Sequence, residues 1–415
     1  MSNYYSGETG HLTMRGFILA FIATAAFSLA GCGDSNDTGT GGTGGSAGTG
    51  GTAGSGGTGG SAGTGGVGGI GGVVSDLEVS PVLQGLANPW DIAWLPNGTV
   101  LVTERPGRLN VYGDGLDQPP TLVVEPDDLI ASGEGGMLGL EVDPSFDSNG
   151  YVFVCFCSTA SGPPDVRVVR YTLSTPDGDS EEGRTDIVTG MPYSTGRHSG
   201  CRPRFGPDGY LWVGTGDAAI GTTPQDDDSL GGKVLRVDRD GYAAPGNPGG
   251  RRWLSKGHRN VQGIAFRASD DLGVSAEHGP GVDDEVNLLV AENFGWDPVP
   301  GYNESVPMTD TVKFPDAIEA IVSTGSPTLA YSGAEFVEGA SWGDWNGALV
   351  VATLKAQHLH LYFIDEEGNA TDGGRWIEGR GRLRSPRMGP DGLYVTTDGS
   401  AGSGEVLRVT PILTP

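Results

Sequence analysis

Basic side chains, cysteine, long apolar runs and helical periodicity are all scarce in this 415-residue chain, and each shortage removes a class of protein. Lys and Arg number 25 against 52 Asp and Glu, and the formal net charge of -27 repels phosphate backbones and anionic lipid heads, which argues against a nucleic-acid partner. The only cysteines, Cys32, Cys155, Cys157 and Cys201, are too few for a disulfide scaffold. The apolar run at residues 16–30, GFILAFIATAAFSLA, falls short of the roughly 20 residues that a bilayer-spanning helix needs. Apolar residues hardly ever recur at helical spacing. Short β-branched and aromatic runs separated by Gly, Pro, Asn and Asp fill the chain instead, and they predict an all-β protein.

Glycine is abundant, with 74 residues, many of them in one block. The apolar run follows Met14-Arg15 as the core of a secretory signal would, and it ends in Leu29-Ala30-Gly31-Cys32, which resembles the lipobox of bacterial lipoproteins. That resemblance implies lipidation at Cys32, an exported protein and a lipid anchor facing the periplasm or the cell surface; the alternative is an ordinary cleaved signal. Translation starting at Met14 suits the signal better, because the preceding residues lack its character. Residues 33–75 repeat Gly-Gly-Thr, Gly-Gly-Ser and Ala-Gly-Thr with nothing to bury, so the entropy of ordering them, roughly 1–2 kcal/mol per residue, has no offset. The expectation is a disordered tether with a typical reach of roughly 35 Å. The organisation read from the sequence is therefore a lipoprotein signal at 1–32, a linker at 33–75 and a folded domain at 76–415.

From Asp76 onward one theme returns: an apolar strand, a turn built on Pro, Asn or Asp with Gly, and a second strand. It reads DIAWLPNGTVLVTE from Asp91, GLEVDPSFDSNGYVFVCF from Gly139, RPRFGPDGYLWVGTGD from Arg202, GIAFRASDDLGVSAEHG from Gly263, GASWGDWNGALVVATLK from Gly339 and SPRMGPDGLYVTTDGS from Ser385. Third strands follow, as in Lys233-Val234-Leu235-Arg236-Val237. Recurrence of one hairpin at long intervals predicts a six-bladed β-propeller, whose inner strands ring a channel and whose loops converge at one end. A β-sandwich would not need the turn at the same offset each time. Cys155 and Cys157 share one face of a strand, so either of them could bridge to Cys201 in an oxidising compartment.

Three clusters carry candidate chemistry. His198 stands before the third hairpin and could act as a base. Arg380, Arg382, Arg384 and Arg387 crowd together in a chain poor in basic residues, and the spacing of the first three puts them on one side of an extended segment, as if to bind an anion through guanidinium contacts. Lys355 in ATLKAQ and Arg259 in GHRNVQG could join them from neighbouring blades. The stretch Glu277-His278-Gly279-Pro280-Gly281-Val282-Asp283-Asp284-Glu285 combines carboxylates with a turn that exposes backbone carbonyls, hard oxygen donors of the kind that suit calcium, although an acidic surface loop would look the same. GTGDAAIG follows a strand but opens no helix, so no nucleotide cofactor is implied.

The ordered motifs GEGGMLGLEVDPSF, HSGCRPRFGPDGYLWVGTGD, LGGKVLRVDRDG, GHRNVQGIAF, EHGPGVDDEVNLL with NFGWD, ATLK, and GRLRSPRMGPDGLYVTTD resemble the glucose/sorbosone dehydrogenase family, and within it the soluble aldose sugar dehydrogenases of bacteria, over about residues 80–411. The resemblance implies a six-bladed propeller that binds pyrroloquinoline quinone and calcium and oxidises the anomeric carbon of aldoses to lactones, passing electrons to an acceptor that the sequence does not name. It implies that His198 is the general base. Glu134, Arg259, Asn260, Lys355, Arg382 and Arg384 match cofactor positions. The carbonyls of Gly279 and Pro280 match the calcium beside the quinone, and Asp284 and Glu285 match a second, structural calcium. The chain departs from the family pattern at Glu134, where glutamine is common, at Arg197, which replaces an acid, at Cys201 and Pro203 in the inner strand, and at Ser385. Two other readings stay open: a calcium-binding propeller that has lost the quinone and displays a glycan- or protein-binding face, and a metal-dependent lactonase.

Overall fold

The computed structural model describes residues 72–414. The signal, the lipobox Cys32 and nearly all of the Gly-rich linker lie outside the described residues. The described residues form six four-stranded antiparallel sheets, a six-bladed propeller, with a single turn of α-helix at Phe146–Asn149. Five blades run in chain order from the channel outward, with inner strands Pro89–Trp94, Met137–Val142, Arg202–Phe205, Val261–Phe266 and Tyr331–Phe336. The sixth combines Leu383–Gly389, Gly392–Thr397 and Gly404–Thr414 with the first of the described strands, Val73–Leu86, on its outer edge. This pairing of the two ends closes the ring, and it begins at Val73, three residues before the boundary expected from composition.

Each blade twists and buries both faces, so its apolar side chains fall into clusters between neighbours. Six such clusters exist, one for each blade junction; Leu101 and Val111 meet Leu140 and Val152 at the first. The turns behave as their chemistry predicts. In Gly206-Pro207-Asp208-Gly209 the amide of Gly209 donates to the carbonyl of Gly206 at 2.9 Å, and Asp208 accepts from the amide of Tyr210 at 3.1 Å. Five of the six hairpins read from the sequence are the inner pair of a blade. The one read from Gly339 is not: Ala340–Trp345 is a 3-10 turn, and the inner strand of that blade is Tyr331–Phe336.

The channel is filled by a charged network with side chains from every blade. Asp91, fully buried, accepts from Arg204 at 3.0 Å and from Ser385 Oγ at 2.9 Å, and it lies 2.7 Å from Arg202. Arg387 donates to Glu141 at 2.5 Å, and Glu335 lies 3.9 Å from Arg387. Gln262 accepts from Arg384 at 2.9 Å and from Ser332 at 3.1 Å. The sequence departures at Pro203 and Ser385 belong to this packing. Proline costs no ladder bond on an inner edge strand, and its ring lies against Gly139, where a Cβ would come within 2.6 Å of Pro203 Cδ.

Candidate active site

Because every blade repeats the same strand order, residues just before the inner strands and just after the second strands collect at one end of the channel. Glu134, His198, Arg259, Asn260 and Arg382 precede inner strands. Arg105, Asp217, Gly279, Lys355 and Asp398 follow second strands. Residues from different blades are thus brought into contact.

His198 is held in the left-handed region, φ 49°, between two glycines of positive φ, Gly196 and Gly200. Its amide donates to Glu134 Oε2 at 3.0 Å, and Gly200 donates to Asn260 Oδ1 at 3.1 Å. Its carbonyl packs so tightly on Gly216 that a Cβ there would lie 1.8 Å from the oxygen. Within the ring, Nδ1 donates to Asp217 Oδ1 at 2.8 Å. Asp217 is completely buried and also accepts from Ala219 N at 2.7 Å, Trp296 Nε1 at 2.8 Å and the Tyr302 hydroxyl at 2.7 Å. Burial first, then the charge of Asp217, pushes the Tyr302 phenol well up, so it remains a donor. The proton of His198 is therefore on Nδ1, and Nε2 carries the lone pair that a base needs. Among the described residues only Arg197 comes near it, its guanidinium 3.5 Å away and paired with Glu304 at 3.0 Å.

Asp217, Trp296 and Tyr302 were not singled out from the sequence. Asp217 and Trp296 stand inside quoted motifs, GTGD and NFGWD, but no local pattern ties either to His198. Tyr302 lies in a loop without regular structure.

Glu134 is exposed as a residue, with its carboxyl turned to the His198 amide. Burial alone would raise its pKa; His198 and His278, the His198 amide and Arg259 outweigh that, and the carboxyl titrates below its ordinary value. Arg259, buried, donates to the carbonyls of His278 at 2.7 Å and Gly279 at 3.0 Å and to Glu304 at 2.6 Å. The Asn260 amide reaches Glu134 at 3.4 Å.

The arginine run divides. Arg380 reaches back to the carbonyl of Val79 at 3.4 Å, and Arg387 belongs to the channel network. Arg382 and Arg384 share Asp398, at 3.2 and 2.9 Å. Arg105, which the sequence reading did not include, donates to Gly133 O at 2.8 Å beside Glu134. Burial lowers the pKa of Arg105, Asp398 works against this, and the nearby charges of Arg384 and Arg382 lower it further. Arg105, Arg382 and Arg384 thus share two carboxylates, Asp398 and, beside Arg105, Glu134, which leaves an excess of positive charge that suits a bound polyanion. The buried Nε atoms of Arg259 and Arg384 also have no protein partner. Lys355 is exposed on the turn at the same end, its amide donating to Leu329 O at 3.1 Å.

The calcium positions fare differently. The Gly279 carbonyl already accepts from Arg259 and, at 2.6 Å, from His278 Nδ1, which fills both lone pairs and places a cation where calcium would sit. Pro280 continues into the bend that follows, at residues 280–282. Asp284 is fully buried and spent on donors of its own loops: Gly279 N at 2.9 Å, Thr328 Oγ1 at 2.8 Å, Leu329 N at 2.6 Å and Ala330 N at 2.9 Å. As they lie, these residues do not fit a divalent ion. Glu285 does. Burial first and then Glu277 push its carboxyl up to about 8, Thr309 lies 3.3 Å away, and the Oδ1 of neighbouring Asn287 is buried without a partner. Among the described residues, no group of three or more His, Cys, Asp or Glu side chains converges on a metal position.

A disulfide joins Cys155 to Cys201, Cα to Cα 6.1 Å, and Cys157 is a buried free thiol 3.8 Å from Ser199. The bridge ties the second blade to the hairpin that carries His198.

A sequence profile described as "Glucose / Sorbosone dehydrogenase" matches residues 86–408. The chain belongs to the glucose/sorbosone dehydrogenase family. This family member is 32% identical over 347 residues to the aldose sugar dehydrogenase YliI of Escherichia coli, covering 79% of this chain and 91% of that protein. It is 28% identical to quinoprotein glucose dehydrogenase B of Acinetobacter calcoaceticus, covering 70% and 66%. The PQQ-bound aldose sugar dehydrogenase of Streptomyces coelicolor superposes with a TM-score of 0.67 at 28% identity, covering 81% of this chain and 98% of that one. The family assignment makes the protein a sugar oxidoreductase.

Proposed function

We propose that this glucose/sorbosone dehydrogenase oxidises the anomeric carbon of an aldose to the lactone with pyrroloquinoline quinone. The observation that carries this is the pairing, at one channel end, of a histidine with a free Nε2 and a guanidinium cluster short of counter-ions. In the reaction the sugar gives up two electrons and two protons. His198 Nε2 takes the proton of the anomeric hydroxyl, and Asp217 steadies the imidazolium that results. Arg105, Arg382, Arg384 and Lys355 would hold the carboxylates of the quinone, with Arg259 and Asn260 near its carbonyls. Bound there, the quinone would supply the two-electron oxidant that side chains lack. Glu134, ionised, tethers the His198 backbone instead of facing an anion unaided.

Dye reduction by a panel of aldoses, with and without added quinone, tests the reading. His198→Ala should lower kcat by about 10²–10⁴-fold with quinone uptake retained. Calcium binding with no quinone uptake would overturn it in favour of a binding module. Calcium would find oxygen donors at Glu285 and Asn287: chelation should lower the melting temperature of the wild type and leave that of Glu285→Gln unmoved. The leader at 1–32 supports export with a lipid on Cys32, and the Cys155–Cys201 bridge suits an oxidising compartment. Equal fatty-acid labelling of wild type and Cys32→Ser would remove the anchor.

A further inference from the structure

The fifth blade holds a histidine pair that plays no part in the site above. His358 precedes the strand Leu359–Ile364, and His360 lies two residues on, so both side chains fall on one face. His358 Nδ1 lies 3.1 Å from the carbonyl of Ala356, a group that only accepts, so Nδ1 carries the proton. His360 Nε2 lies 3.0 Å from Asp372 Oδ1 on the neighbouring strand. Asp372 is held below the ordinary carboxylate value: burial works against this, but the Gly374 amide and His360 outweigh it. It too accepts, and His360 carries its proton on Nε2. The remaining nitrogens, His358 Nε2 and His360 Nδ1, face each other at 3.4 Å, both as lone pairs.

Two facing lone pairs repel unless a cation lies between them. A metal ion meets the geometry directly. Imidazole nitrogens bind such ions at about 2.0–2.1 Å, which puts two adjacent ligands roughly 2.9–3.4 Å apart. The Asp372 carboxylate and the Ala356 carbonyl already stand where ligating histidines keep their outer partners. His360 is 7% exposed and lines a cavity of about 470 Å³ with Tyr362, Asp372, Arg375 and Ser323, so water can approach the pair from the His360 side, while His358 is buried behind it.

We propose that His358 Nε2 and His360 Nδ1 together bind one borderline divalent transition-metal ion of the Zn²⁺ or Cu²⁺ class, with Asp372 orienting His360. Imidazole suits these ions, whereas calcium takes oxygen. The ion would fasten the strand to the turn at residues 354–357 that carries Lys355.

The test is a titration of the full chain, saturated with calcium to fill oxygen sites, with Cu²⁺ by calorimetry and electron paramagnetic resonance. One Cu²⁺ site with two nitrogen ligands is expected in wild type. Its affinity should fall at least about 100-fold in His360→Gln and about 10–100-fold in Asp372→Asn. The second variant leaves both rings in place and changes an exposed residue, so its folding is not at issue. A wild type without this site, or an affinity for it unchanged in Asp372→Asn and His360→Gln, overturns the proposal.

Discussion

At the scale of single residues, the chemistry rests on which nitrogen of His198 holds its proton. Asp217 settles this because both of its oxygens are filled: Oδ1 by His198 and Ala219, Oδ2 by Trp296 and Tyr302. Replacing Asp217 by Asn keeps the shape but not the polarity. The amide oxygen would stay with Trp296 and Tyr302, and its NH₂ would turn to Nδ1, which moves the imidazole proton to Nε2 and removes the base. Asp217→Asn should lower kcat by about 10²–10⁴-fold with KM little changed, as read from steady-state kinetics with dye as acceptor. A destabilised fold alone would not separate kcat from KM in this way. The sequence displayed His198 itself but not this partnership, because the two stand 19 positions apart and meet only when the hairpin between them folds back. Arg105 was hidden for the same reason: it gains meaning only where Arg382 and Arg384, at the far end of the chain, come to its side.

At the scale of strands and turns, much was legible, since turn chemistry and two-residue alternation are local. The Gly206-Pro207-Asp208-Gly209 and Gly389-Pro390-Asp391-Gly392 turns each specify their hairpin. The fifth blade misled because 339–345, with Trp342 and Trp345, imitates an apolar strand; these rings in fact fill the junction between the last two blades. Of the two disulfides open from spacing, Cys155–Cys201 forms because Cys155 faces the junction with the third blade, while Cys157 abuts Ser199. Closing a loop over a sequence separation of 46, the bridge should stabilise by about 2–4 kcal/mol, and a Cys155→Ser/Cys201→Ser double variant should show that loss in urea denaturation. A tighter constraint lies at Gly216. A methyl group there would collide with the His198 carbonyl, 1.8 Å away, and the backbone on both sides is fixed by hydrogen bonds. Gly216→Ala should therefore cost more than about 2 kcal/mol, and its activity should fall further than its stability, because the turn that must yield carries the base.

At the scale of the whole molecule, the ring is closed by pairing Val73–Leu86 with Gly404–Thr414, and its axis is filled with charge. The channel acids Asp91, Glu141 and Glu335 face the three arginines Arg202, Arg204 and Arg387, and Asp91 meets two of these guanidiniums directly. For Asp91, burial alone would raise the pKa, but Arg202 and Arg204 outweigh it and hold the carboxyl far below the ordinary value of 3.8. For Asp398, burial again opposes and Arg384 wins. A carboxyl whose folded pKa lies below its unfolded one binds fewer protons when folded. Its contribution is complete above about pH 4 and is lost as the pH falls from there towards the folded value. Glu335 runs the other way: burial pushes it up to about 7, so its contribution is complete below about 4.5 and is lost as the pH rises through 7. Urea denaturation across this range should give a stability that drops steeply on the acid side and more gently towards neutrality. Asp91→Asn should flatten the acid limb and lower the stability at neutral pH by about 3–5 kcal/mol, because Arg202 and Arg204 would be left buried without the charge that all six blades are arranged around. An acid limb in that variant as steep as in the wild type would place the pH sensitivity outside the channel.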